Sequence, residues 1–144
     1  MHRGTWLAVV VASMVLAACG TPAESAPESP SRVVPIAGTN LSKIELTPKA
    51  IERISLQTAP VQGPAAGAGG TGSVPLAAVL YLSDGSTWVY TVVGTRTYER
   101  QRVTIARASG DTAILQAGPA PGTLVVTTGV AELLGSEYGV AGGQ

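Results

Sequence analysis

One hundred and forty-four residues carry nine basic and nine acidic side chains, so the chain has no formal net charge and only 12% of its positions are charged. That balance offers no basic face for nucleic acid and no electrostatic grip on an anionic bilayer. A single cysteine excludes an intrachain disulfide. With one histidine and two methionines beside it, little remains from which zinc or copper sites or histidine-based acid–base chemistry are built. Phenylalanine is absent, so the core has to come from Val, Leu, Ile and Ala packed around Trp88 and the tyrosines, which is marginal for a domain of this size.

The first element is a leader. His2 and Arg3 precede an apolar stretch from Trp6 to Leu16, and small residues follow. These are the parts of a secretory signal, and about a dozen apolar residues fall short of the ~20 that a membrane-spanning helix needs. The run Leu16-Ala17-Ala18-Cys19 resembles the lipobox of bacterial lipoproteins. The resemblance implies cleavage before Cys19, a diacylglycerol on its sulfur, and often an acylated new N-terminus. Residues 1–18 are then a signal peptide and Cys19 is the lipidation site. The protein is held at a membrane of the cell envelope, on its periplasmic or extracytoplasmic face. Two acyl chains hold durably where one holds only marginally. In a two-membrane cell, Gly20 in place of a retention aspartate favours the outer membrane. An ordinary secreted protein with a chance cysteine, or a short membrane anchor, are the alternatives. Cleavage would also remove Met1, His2 and Met14, leaving a processed chain with neither histidine nor methionine.

Residues 19–40 hold Pro22, Pro27, Pro30 and Pro35 among small and polar residues, without a sustained apolar period. They read as a disordered tether, and some twenty flexible residues span roughly 25 Å on average. Lys43 and Glu45 alternate with Ile44 and Leu46, which predicts a half-buried strand. Thr47-Pro48 supplies an N-cap followed by proline at the first helical position. Ala50, Ile51 and Ile54 continue at helical spacing over about two turns. Leu56, Thr58 and Val61 return to extended structure. Residues 62–73 read as a glycine-rich linker whose glycines lack phosphate-loop spacing and a lysine.

From Val74 to Tyr138 strands and turns follow one another every eight to twelve residues. Leu76 to Leu82 leads into a turn centred on Asp84-Gly85. In Thr87 to Val93, Trp88, Tyr90 and Val92 face one way and Val89, Thr91 and Val93 the other. Thr97 to Arg107 places Val103 and Ile105 inward, with Arg102 outward. Ser109-Gly110-Asp111 turns into Thr112 to Gln116, Pro121-Gly122 turns into Leu124 to Thr128, and a brief helix near Val130 to Leu134 closes the unit. The expected fold class is mainly β: a small antiparallel β-barrel or roll with one or two short helices over residues 41–138. Residues 139–144 form a flexible tail.

The order of these motifs is similar to the membrane-proximal domain of periplasmic adaptor subunits, the membrane fusion proteins of resistance-nodulation-division efflux pumps. The matching residues are Val74-Pro75, Ala78-Val79, Gly85, Trp88-Val89-Tyr90, Tyr98, Arg102-Val103, Gly110, Gly118, Pro121-Gly122, Val125-Val126, Gly129 and Leu133. Leu46-Thr47-Pro48 and Leu56 through Val61 resemble the upstream segment that folds beside those strands in the family. A full adaptor carries lipoyl-like domains, a helical hairpin and a β-barrel between the two segments, where this chain has only its glycine-rich linker. No heptad run is present to build the hairpin.

The resemblance implies an accessory or truncated adaptor that docks on an integral membrane transporter. The other reading is a stand-alone envelope lipoprotein that binds a small ligand or a cell-wall component. Arg96, Arg100 and Arg102, with Arg107 beyond them, mark one strand region as a docking face for acidic partner loops, or simply as a solvated face. Asp84, Glu99, Asp111, Glu132 and Glu137 are candidates for acid–base pairing. They fall mostly at turns or exposed positions, which argues against an enzyme. Trp88 and Tyr90 are core residues by their alternation, or a stacking platform. No cofactor, metal or nucleic acid is expected.

Overall fold

A computed structural model describes residues 29–64 and 69–139; Cys19, the leader, the first part of the tether and residues 140–144 lie outside this range. Nine strands and two short helices follow in order. They are β1 Ser31–Pro35, β2 Ser42–Leu46, α1 Pro48–Arg53, β3 Gln57–Pro60, β4 Gly72–Pro75, β5 Leu80–Tyr81, β6 Thr87–Gly94, β7 Thr97–Ser109, β8 Thr112–Ala117, β9 Leu124–Thr128 and α2 Val130–Glu137. All pairings are antiparallel, and the main sheet runs β1-β2-β7-β6-β9-β3. The mainly β class holds, but the sheet does not close into a barrel: β1 and β3 are its edges.

The 13-residue strand β7 gives the fold its second layer. Its first half pairs with β6 and β2, and its second half with β8. Register shifts between Thr104 and Arg107 bend the strand at the changeover. The β4–β8 ribbon thereby folds across one face of the sheet while α1 and α2 cover the other. Successive residues of the central strands feed the two sides in turn. Val89, Val103 and Val125 pack with Val61, Val74 and Leu115, whereas Tyr90, Tyr98 and Val126 pack with Ile44, Leu46, Ala50 and Leu133. A sheet buried on both faces explains how a chain without phenylalanine finds enough apolar area.

Two expected boundaries are corrected. Ser31–Pro35, inside the stretch read as tether, is strand β1, paired along its length with β2. Pro30 precedes this strand and Pro35 ends it, and on an edge a missing N–H costs little. The expected linker 62–73 also ends inside the fold, through the bridge between Gln62 and Ser73 and the start of β4 at Gly72. There the returning chain runs so close to Gln62 that a Cβ on Gly72 would lie 2.8 Å from its carbonyl oxygen. The capping reading holds: the Ala50 amide donates to the Thr47 hydroxyl at 3.1 Å, with Pro48 at the first helical position. Gly129, at φ 91°, starts α2, which runs past the expected Leu134 to Glu137.

Candidate functional site

Strand register assembles the most distinctive cluster. Trp88 lies opposite Arg102 and Tyr90 opposite Arg100 across the β6–β7 pair, so all four side chains share the face covered by α2. Residues two apart on a strand repeat on one face, and diagonal neighbours are within reach of long side chains. The last turn of α2 then lowers Glu137 onto this face. Its carboxylate accepts from the Tyr90 hydroxyl at 2.6 Å and from Arg100 Nη2 at 3.3 Å, and Arg100 Nη1 donates to the Tyr138 hydroxyl at 3.4 Å. The Arg100 guanidinium carbon sits 4.7 Å from the Trp88 ring centroid and 5.7 Å from that of Tyr138, and Arg102 reaches the Trp88 ring at 5.9 Å. The result is a ladder of alternating rings and guanidinium groups, Tyr138–Arg100–Trp88–Arg102, whose two ends are exposed and whose Arg100 is buried.

The expected docking arginines therefore separate. Arg100 is turned inward, its side chain 6% exposed and that of Glu137 4%, so Arg100 is a buried ion-pair partner and not a surface contact. Among the described residues its Nε has no hydrogen-bond partner. Arg96 and Arg102 stay exposed. Arg96 occupies the β6–β7 turn at φ 55°, where its carbonyl accepts from the Leu46 amide at 3.0 Å. The ion pairs among the described residues are Arg32–Glu45 and Arg100–Glu137, and neither engages Arg96 or Arg102. Tyr138 is 61% exposed at the other end of the ladder.

Trp88 is fixed by more than stacking. Its indole N–H donates to the Ser86 hydroxyl at 2.7 Å, and that hydroxyl donates to Asp84 at 2.6 Å. The Ser86 hydroxyl and then its backbone amide, both donating to Asp84, hold this carboxyl below its usual range. Burial, then the hydrogen bond to Glu137 and its negative charge, push the Tyr90 phenol well above the ordinary tyrosine value. Of the acids considered for catalysis, the structure gathers Glu137 with Tyr90 and Arg100, while Asp84 serves the β5–β6 turn and Asp111 the β7–β8 turn. Among the described residues no three His, Cys, Asp or Glu side chains cluster around a common point, and no helix is long and apolar enough to cross a membrane.

A second feature escaped the sequence. A cleft of ≈ 270 Å³ opens between α1, α2 and the start of β1. Leu46, Ala50, Ile54 and Leu133 line it, and Arg53 and Glu132 also border it. Pro30 and Ser31 form part of its wall, so the chain that leads back to Cys19 enters the domain here. The signal that could have revealed it is the pairing of two short amphipathic helices, too small to tile a sheet face completely. Compared with models of protein families, with curated proteins and with solved structures, the chain matches none.

Proposed function

We propose that this chain is a lipid-anchored protein of the cell envelope, tethered through Cys19, whose β domain acts by docking on an integral membrane transporter as an accessory or adaptor-like module. The observation that carries the docking reading is the ladder. Trp88 is held in place by Ser86 and Arg100, and the ladder ends in Arg102 against Trp88 on one side and in Tyr138 against Arg100 on the other. Trp, Tyr and Arg are the residue types that dominate interface energetics, and side chains ordered beforehand lose less entropy on binding. Arg102 offers a two-pronged donor to a partner carboxylate. Anchoring supports the reading too, because a tether raises the local concentration of even a weak docking surface.

The test is recovery of a transporter, identified by mass spectrometry, from detergent-solubilised membranes of the native host. Arg102→Glu is expected to lower recovery at least tenfold with the melting temperature nearly unchanged. No transporter with the wild-type protein refutes the docking reading, and an intact mass without lipid on Cys19 refutes the anchoring. The apolar cleft favours a second reading, an envelope lipoprotein that captures a small ligand.

A further inference from the structure

The cleft between α1 and α2 lies apart from the ladder and has its own chemistry. Its floor is Leu46, Ala50, Ile54 and Leu133, and its rim carries one charge of each sign, Arg53 and Glu132. At about 30 Å³ for a water-sized group, ≈ 270 Å³ holds about nine such groups in a row or cluster. That volume matches half or more of a lipid acyl chain. Position points the same way. Ser29 is the first described residue, Pro30 and Ser31 wall the cleft, and Cys19 lies only ten residues further back. Ten residues reach at most about 36 Å even when fully extended. An acylated Cys19 would therefore keep the cleft mouth within that reach of a bilayer surface.

We propose that this cleft takes one acyl chain of a membrane lipid with a zwitterionic head group, the tail lying on Leu46, Ala50, Ile54 and Leu133 and the head between Arg53 and Glu132. The bilayer as the source of the lipid rests on the anchoring reading above; the binding itself does not. Opposite rim charges match a head that carries both signs, and they leave a purely anionic head facing Glu132. Gly135 gives a clean way to close the site. It lines the cleft, and a Cβ built there meets nothing within 4 Å. A larger side chain at this position enters open space, and replacing a helical glycine favours the helix.

The probe is dodecylphosphocholine below its micelle concentration, titrated into the full chain carrying Cys19→Ala and followed by backbone NMR. Saturable shifts confined to α1, α2 and β1 are expected. Gly135→Leu is expected to weaken them at least tenfold with an unchanged or higher melting temperature. Shifts that are unsaturable, scattered over the surface, or indifferent to Gly135→Leu overturn the site. Dodecyl sulfate binding tenfold more tightly than the zwitterion overturns the head-group assignment. A second arm uses phosphatidylcholine vesicles with a photoreactive group on one chain, and the acylated protein is expected to be labelled on α1 and α2. Binding in solution without labelling in vesicles leaves the cleft standing and refutes the bilayer as its source. Absence of lipid on Cys19 refutes the anchoring alone.

Discussion

Truncation of the buried carboxylate, Glu137→Ala, tests the packing of α2 most sharply. It removes the acceptor of the 2.6 Å bond from Tyr90 and the 3.3 Å bond from Arg100, and strands a guanidinium that the folded chain exposes by only 6%. Breaking a buried pair by deleting one partner costs about 3–5 kcal/mol, because the remaining charge stays desolvated. Two features set the value here near the lower end. Arg100 keeps its contacts with the rings of Trp88 and Tyr138, and its Nε is already without a hydrogen bond. About 3 kcal/mol is a large share of the ~5–15 kcal/mol that stabilises a typical domain. Tyr90→Phe removes one charge-assisted hydrogen bond and should cost about 1.5–3 kcal/mol. The triple change Tyr90→Phe, Arg100→Met and Glu137→Leu should restore most of the loss, since it strands neither a charge nor the buried hydroxyl that Glu137 accepts from. Urea unfolding followed by circular dichroism gives the midpoint and slope for each variant. A loss below about 1 kcal/mol for Glu137→Ala at unchanged slope would refute the reasoning, because it would mean that water already reaches Arg100.

Three further outcomes follow from the same packing. The Tyr90 phenol has a raised folded-state pKa, so its contribution to stability is complete below the ordinary tyrosine value near 10; above it, the unfolded chain loses the proton first and stability falls as pH rises. Thermal melts from pH 9 to 11 should show that decline, and Tyr90→Phe should flatten part of it. Gly129→Ala should destabilise by about 1–3 kcal/mol in urea, because the residue sits at φ 91° and its added Cβ would lie 3.0 Å from the Ile54 side chain. A chain that begins at Ser73 loses β1, β2, α1 and β3, hence the strands beside β7 and β9 and the buried Ile44 and Leu46; it should show no cooperative melt, whereas one that begins at Ser29 should.

The local grammar of the fold was legible because it is written in short-range chemistry. Thr47-Pro48 specified the start of α1, Asp84-Gly85 the β5–β6 turn, and Leu124 to Thr128 the whole of β9. Alternation in β6 assigned Trp88, Tyr90 and Val92 to one face correctly. It could not show that the opposite face is buried too, since Val89 is covered by the β4–β8 ribbon, and β4 starts at Gly72 within residues that read as linker. β1 is hard to read because Pro30 and Pro35 at its ends lower strand propensity, while its pairing with β2 is a tertiary fact. Arg100 illustrates the same limit at the site. Arg100 and Arg102 occupy equivalent strand positions, but α2 covers only Arg100, and its counter-ion Glu137 comes from 37 residues away. Spacing shows which side chains share a face, but not what will cover them.

Docking through the ladder is the central claim, and a crosslink formed in living cells tests it most directly. A photoreactive phenylalanine analogue at position 138 replaces an exposed aromatic residue at one end of the ladder. The account predicts one dominant adduct with an integral membrane transporter, identified by mass spectrometry, and its loss when Arg102→Glu is added. Adducts confined to soluble proteins or lipid, or a transporter adduct that survives Arg102→Glu undiminished, would contradict it.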